Sequence, residues 1–120
     1  MCYYKDSGIV DIALITIYYY QTSVGRCPFK EWFDSLDGRV QQIVDARLVR
    51  VRRGLFGDAK LLGAGIWELK LDVGPGYRIY YGQDGKTIVI LLHAGQKKGQ
   101  SADIDTAREL WVDYLRRTRK

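Results

Sequence analysis

The sequence predicts an α+β fold, a small antiparallel sheet with an N-terminal helical hairpin and a C-terminal helix. Two consecutive amphipathic stretches occupy residues 28–53, an alternating pattern with turn signals follows over residues 66–93, and a last apolar stripe has helical spacing. Because strands joined as successive hairpins pair antiparallel, we expect the helices on one side of the sheet. The first strand would join the sheet across the helical hairpin.

Length and composition limit the class of protein. The chain has 120 residues, of which 47% are hydrophobic, and this predicts one domain over residues 1–120, with residues 1–10 as a loose lead-in. No stretch approaches the roughly 20 apolar residues of a membrane span, and no secretory signal opens the chain, so we expect a cytoplasmic protein with no membrane partner. Cys2 and Cys27 form no CxxC pair, and only His93 could join them as a metal ligand, so we expect no zinc site. We also expect no cofactor.

The N-terminal half predicts one strand and two helices. Ile12 to Gln21 is β-branched and aromatic, which is typical of a strand. The first helix should begin near Pro28, because Pro suits the first helical turn, and a break at Asp37-Gly38 should end it. The second helix should run from about Gly38 to Arg53. Apolar stripes follow each helix: Phe29, Trp32, Phe33 and Leu36, then Val40, Ile43, Val44, Leu48 and Val51.

The C-terminal half predicts a three-stranded meander and a helix. Residues 60–62 suggest a short edge strand, and in residues 67–73 apolar side chains alternate with Glu68, Lys70 and Asp72, which indicates one core face and one polar face. Residues 77–81 and 87–93 give the next two strands, with a hairpin turn between them. Ser101 or Asp103 should cap the last helix. Its apolar stripe is Ile104, Ala107, Trp111, Tyr114 and Leu115.

The positive charge is concentrated in two blocks. Residues 39–60 carry a net charge of +4 and residues 108–120 of +3, in a chain of net charge +5. Such blocks attract polyanions such as nucleic acid, or an acidic protein partner. They are equally consistent with two solvated helix faces.

A set of cations surrounds the turn Gly74-Pro75-Gly76-Tyr77-Arg78. Lys70 precedes the turn on one strand, Arg78 begins the next, and Lys97 and Lys98 follow the last, so a meander could bring them to one side of the sheet. Lys60, Arg52 and Arg53 could form its rim. Metal-free RNA cleavage needs an activated 2′-OH, a stabilised pentacovalent phosphate and a protonated 5′-oxygen. Arg and Lys can stabilise the phosphate, and a Lys crowded by cations can transfer protons. A basic rim that only binds is the other interpretation.

Several motifs together resemble the RelE/ParE toxin superfamily, and most of all its addiction module killer protein, or HigB-like, branch. The resemblance covers roughly residues 12–117. Its motifs are residues 29–36 (FKEWFDSL), the spaced set Arg47, Leu48, Arg50, Gly54, Gly57, Asp58 and Lys60, residues 63–70 (GAGIWELK), 74–81 (GPGYRIYY) and 91–100 (LLHAGQKKGQ), and Asp103-Ile104.

The resemblance implies the toxin of a type II toxin–antitoxin module, a metal-independent endoribonuclease (mRNA interferase) that cuts mRNA in the ribosomal A site. The implied partners are the ribosome, its mRNA and a cognate antitoxin, a small helix-turn-helix protein. The toxin would contact operator DNA only through its complex with this antitoxin. Matched position by position, the catalytic residues of RelE-type enzymes fall on Lys70, Arg78 and Lys97. Arg50, Arg52, Arg53, Lys60 and Lys98 are the candidates for RNA binding.

The chain departs from the RelE pattern at two places. Glu68 stands where RelE has a second Lys, and residues 98–106 lack the Tyr that RelE uses near its last helical segment. The general acid and base are therefore open among Tyr77, Tyr80, His93 and Lys97. Two other functions also stay open: a ParE-type toxin that inhibits DNA gyrase by binding it, and a non-toxic remnant that binds only its antitoxin and DNA.

Overall fold

The computed structural model describes residues 2–3 and 14–119. The α+β class is confirmed, with the helical hairpin, the meander and the C-terminal helix in the predicted order. The rest of the lead-in 1–10, and residues 12 and 13 of the first predicted strand, lie outside the described residues. The described elements are β1 (Cys2–Tyr3), β2 (Thr16–Tyr19), α1 (Pro28–Asp34), α2 (Gly38–Arg52), β3 (Ala59–Gly63), β4 (Ile66–Leu71), β5 (Tyr77–Asp84), β6 (Ile88–Gln96) and α3 (Gln100–Thr118).

The strands described form one sheet in the order β1-β2-β6-β5-β4-β3. The meander β3–β6 is antiparallel, as predicted, with β3 at one edge. β2 joins β6 across the helical hairpin, but it runs parallel to β6, so the sheet is not antiparallel throughout. A parallel pair needs a long crossover, and α1, α2 and β3–β5 provide it.

Helices cover both faces of the sheet, which corrects the prediction of a one-sided arrangement. α1 and α2 bury Phe29, Val44 and Leu48 against one face. α3 packs Ala107, Trp111 and Tyr114 on the other. The polar positions of β4 therefore do not all face water: Glu68 is 6% exposed, because the N-terminal end of α3 lies above it.

Local capping follows the sequence in α2 but not in α3. The Asp37 side chain accepts a hydrogen bond from the Val40 N–H (3.0 Å) and so caps α2 as its N-terminal break suggests. α3 is instead preceded by Gly99, with a φ of 92° that favours glycine, so neither Ser101 nor Asp103 is its cap. Asp103 instead directs its carboxylate to His93 on β6, at 3.0 Å.

Candidate functional site

The Gly74-Pro75-Gly76 turn is tied to the loop that follows β6. The Gly76 N–H donates to the Val73 carbonyl (2.9 Å), and the Lys97 N–H donates to the Gly76 carbonyl (2.9 Å). Gly76 has a φ of 82°, and a Cβ there would lie 3.6 Å from Cβ of Lys97 and 3.8 Å from Nη1 of Arg78. Gly76 therefore lies between Lys97 and Arg78, and its lack of a side chain lets both residues approach the turn closely.

One solvent-open cavity of about 320 Å³ is lined by the three cations that the sequence selected as catalytic. Lys70 and Arg78 are direct partners in the register of β4 and β5, and Lys97 approaches from the loop after β6. The rest of the lining is Asp72, Val73, Gly74, Pro75 and Gly76. An anion in this cavity would meet three positively charged side chains, the single carboxylate of Asp72 and a turn without bulky side chains.

Arg78 is the buried member of the set, with 7% of its side chain exposed. Its Nε lies 3.4 Å from Oε1 of Glu68, and its Nη1 donates to the Tyr77 carbonyl at 3.4 Å. Glu68 Oε2 in turn accepts a hydrogen bond from Nε2 of Gln100 at 2.6 Å. The guanidinium is therefore held from the protein side while it forms part of the cavity wall.

The backbone of Lys70 is fixed by α2 and by the loop before β3. Its carbonyl accepts a hydrogen bond from Nη1 of Arg47 (2.8 Å), and its N–H donates to the Asp58 carbonyl (3.0 Å). The side chain is 39% exposed, and its Nζ is 3.8 Å from Oδ1 of Asp72. The backbone is thus constrained while the ammonium group stays accessible.

Of the four candidate proton-transfer residues, Lys97 alone lines this cavity among the residues described. Tyr77 and Tyr80 are buried, and burial, followed by the charges of Glu68 and Asp103, raises the pKa of Tyr80. His93 is partly buried and paired with Asp103. The phenol of Tyr80, held in its neutral form inside the core, is poorly suited to exchange protons with a ligand in the cavity.

Two of the RNA-binding candidates line separate depressions, and a third lies at a sheet edge. Arg50 lines a depression of about 410 Å³ beside Arg47 and Leu55. Lys98 lines another, of about 490 Å³, that includes Trp32. Lys60 is exposed on β3, opposite Glu68 in the register.

Arg52 and Arg53 lie at the other end of the sheet and do not form the rim of the cavity. The Arg52 carbonyl accepts hydrogen bonds from the N–H groups of Leu14 and Ile15 (both 2.9 Å), which lead into the start of β2. That start pairs with Ile88, at the hairpin end of β6, whereas the cavity lies beyond the opposite end of β6. Because α2 ends near the start of β2, Arg52 and Arg53 lie far from the cavity at the opposite end of the sheet.

Sequence reasoning missed the polar layer beneath α3. Glu68, Gln100 and Asp103 are brought together by the packing of α3 on the sheet, which no local pattern encodes. One available signal was Gly95, since a Cβ there would overlap the Asp103 carboxylate. Within residues 2–3 and 14–119, no group of three or more potential metal ligands is present, and no helix is long and apolar enough to cross a membrane.

Comparisons with known proteins give one family model and one relative of this chain. Residues 31–111 match the family model described as "Phage derived protein Gp49-like (DUF891)". A Haemophilus influenzae protein described as uncharacterized is 40% identical over 83 residues, which are 68% of this chain and 84% of that protein. The family match spans α2, the meander and most of α3, and it includes all three cations of the cavity. The chain therefore belongs to the Gp49-like family of phage-derived proteins, a family of type II toxin–antitoxin toxins related to RelE and HigB.

Proposed function

We propose that this protein is an endoribonuclease toxin that cuts mRNA on the ribosome without a metal ion. One observation carries the proposal: Lys70, Arg78 and Lys97 line a single cavity beside the Gly-Pro-Gly turn. The same residues match the catalytic positions of RelE-type enzymes. The family match supports a toxin, and the cavity supports phosphate as the group on which it acts.

The proposed reaction transfers the scissile phosphate from the 5′-oxygen of one nucleotide to the 2′-oxygen of the preceding nucleotide. The 2′-OH loses its proton as the new P–O bond forms, and the 5′-oxygen leaves with a proton as the old bond breaks. Arg78 and Lys70 would stabilise the negative charge on the pentacovalent phosphate. Lys97 would exchange a proton with one of the two oxygens, because it is the candidate that reaches the cavity.

The remaining basic residues would bind the RNA around this centre. Arg50, Lys60 and Lys98 are exposed at three places within the family match, where each could neutralise a phosphate of ribosomal RNA or mRNA. Arg52 and Arg53 would contact the same polyanion from the far end of α2. A ribosomal target would place the toxin in the cytoplasm. The family match supports a cognate antitoxin that neutralises it, which the resemblance to RelE-type toxins implies is a small helix-turn-helix protein.

Expression in growing bacteria, followed by primer extension on their mRNA, tests this function. The proposal predicts growth arrest with new mRNA ends at defined codon positions. Arrest with uncut mRNA and DNA damage would replace it with gyrase inhibition, and no arrest at all would indicate a remnant that binds only its antitoxin. The variant Lys86→Ala should arrest growth as the wild type does, because Lys86 is exposed in the β5–β6 hairpin turn, away from the cavity.

A further inference from the structure

We propose that Glu68 is a positioning residue for Arg78, and that Gln100 in the first turn of α3 holds Glu68 in place. This inference rests on the proposed function for its effect on activity. Glu68 stands at the position of the second Lys of RelE, and its contacts indicate a different role. It connects the first turn of α3 to the guanidinium in the wall of the cavity.

Each oxygen of Glu68 faces one partner, Arg78 through an ion pair without hydrogen-bond geometry and Gln100 through a hydrogen bond. Oε1 faces Nε of Arg78 at 3.4 Å, and Oε2 accepts the 2.6 Å hydrogen bond from Gln100. The side chains of Glu68 and Arg78 are only 8% and 7% exposed. Breaking a buried ion pair leaves an uncompensated charge, so the pair strongly disfavours other positions of the guanidinium.

The nitrogens of the Arg78 guanidinium have different neighbours. Nε faces Glu68, while Nη1 donates to the Tyr77 carbonyl and lies next to the Gly76 turn. If Glu68 moved, Arg78 would lose the group that directs its Nε side inward. The terminal nitrogens, which would bind the phosphate, would then lose their defined orientation.

Glu68 is placed poorly to act as the general base. It does not line the cavity, and its two oxygens face Gln100 and Arg78, so neither is directed toward a 2′-OH bound in the cavity. Gln100 occupies the first position of α3, and its side chain reaches down to β4 from there. Ser101, its neighbour, is exposed.

A double-mutant cycle with Glu68→Gln and Gln100→Ala tests the proposal, with Ser101→Ala as the matched control. Each of the first two variants should lower kcat for mRNA cleavage about tenfold and leave KM within about twofold, because orientation of one charged donor is lost. Gln100→Ala should add no further loss in the Glu68→Gln background. The pH profile of kcat should keep its shape in both variants.

Loss of the acidic limb of that profile in Glu68→Gln would overturn the proposal in favour of Glu68 as a base. Additive losses, or full activity of Gln100→Ala, would also overturn it.

Hydrogen exchange of the Arg78 Nε–H, followed by NMR and assigned with Arg78→Lys, gives a readout that needs no RNA. Exchange should accelerate at least about tenfold in Gln100→Ala and stay unchanged in Ser101→Ala. Unchanged exchange in Gln100→Ala would contradict the positioning role even if the protein cuts RNA. Faster exchange in a protein that leaves RNA intact would uphold the connection and reject only the proposed function.

Discussion

Lys97 donates its backbone N–H to the carbonyl oxygen of Gly76, at 2.9 Å, and this hydrogen bond joins the loop after β6 to the turn before β5. The bond explains how cations separated by many residues line one cavity. Arg78 follows Gly76 closely in the chain, and Lys70 is its register partner on β4. The antiparallel meander therefore builds the site, and the turn sets the spacing between its parts.

Gly82 should be intolerant of any side chain. A Cβ at this position would overlap the ring of Trp111, so Gly82→Ala should lower the free energy of unfolding by about 3 kcal/mol through overpacking under α3. Gly38→Ala is the control, because nothing lies within 4 Å of its Cβ position at the start of α2. Urea unfolding measures both. Equal stability of the two variants would refute the packing of α3 on this face.

Arg47 should stabilise the fold, whereas Arg50, one turn later on α2, should not. Arg47 donates to the carbonyls of Phe56 (3.1 Å) and Lys70 (2.8 Å), so Arg47→Met should cost about 2–3 kcal/mol by leaving these groups unpaired. Arg50 is exposed, and Arg50→Met should change stability by less than about 0.5 kcal/mol. Chemical denaturation of the two variants checks this contrast. A stable Arg47→Met protein would show that these hydrogen bonds matter little.

Asp84 should make stability depend on acid. Hydrogen bonds from Tyr114 and then Arg119 (both 2.6 Å) lower the pKa of Asp84 in the folded protein. The unfolded chain therefore binds a proton first, so this contribution is complete above about pH 4 and is lost as the pH falls through the lowered folded pKa. The stability difference between the wild type and Asp84→Asn should shrink between pH 6 and pH 2.5.

Urea unfolding at the two pH values measures that difference, with Asp105→Asn as the control on an exposed carboxylate of α3. A difference that stays constant with pH would contradict the assignment to Asp84.

Arg50 and Lys98 should contribute to RNA affinity through phosphate neutralisation. Replacing either by Ala should weaken binding to ribosomes and reduce the slope of log affinity against log salt by about 1, because one fewer counterion is released. Lys86→Ala removes the same charge at the hairpin turn and should leave both quantities unchanged. The affinity of each variant for ribosomes, measured over a range of salt concentrations, tests this prediction. A slope equal to that of the wild type in both variants would rule out phosphate contacts by these residues.

The sequence predicts every described element of this fold except β1, because Cys2 and Tyr3 lie in the predicted lead-in yet pair with β2. Helical spacing, the Asp37 cap and the Asp84-Gly85 turn act locally, so the bounds of α2 and the β5–β6 hairpin follow from short stretches of chain. The turn at residues 74–76 and the alternation of faces then set the β4–β5 register, and with it the pairing of Lys70 with Arg78.

Packing over long distances was beyond the sequence pattern. Alternation in β4 correctly placed Glu68 and Lys70 on one face, but it could not show that α3 covers the first and leaves the second accessible. The path of the helical hairpin across the sheet was equally hidden from the sequence pattern. It determines that β2 pairs parallel with β6 and that Arg52 lies far from the cavity.

Cleavage of mRNA by purified protein on programmed ribosomes, in the presence of a chelator, tests the central claim most directly. The wild type and Lys86→Ala should cut at equal rates, while Arg78→Ala should lose about 10²–10³-fold, as expected when a donor to the transition state is removed. Lys97→Ala should show a comparable loss, and it decides the matter if Arg78→Ala does not fold, because Lys97 is exposed. Intact mRNA with the wild type, or wild-type rates in folded Arg78→Ala and Lys97→Ala proteins, would contradict the account.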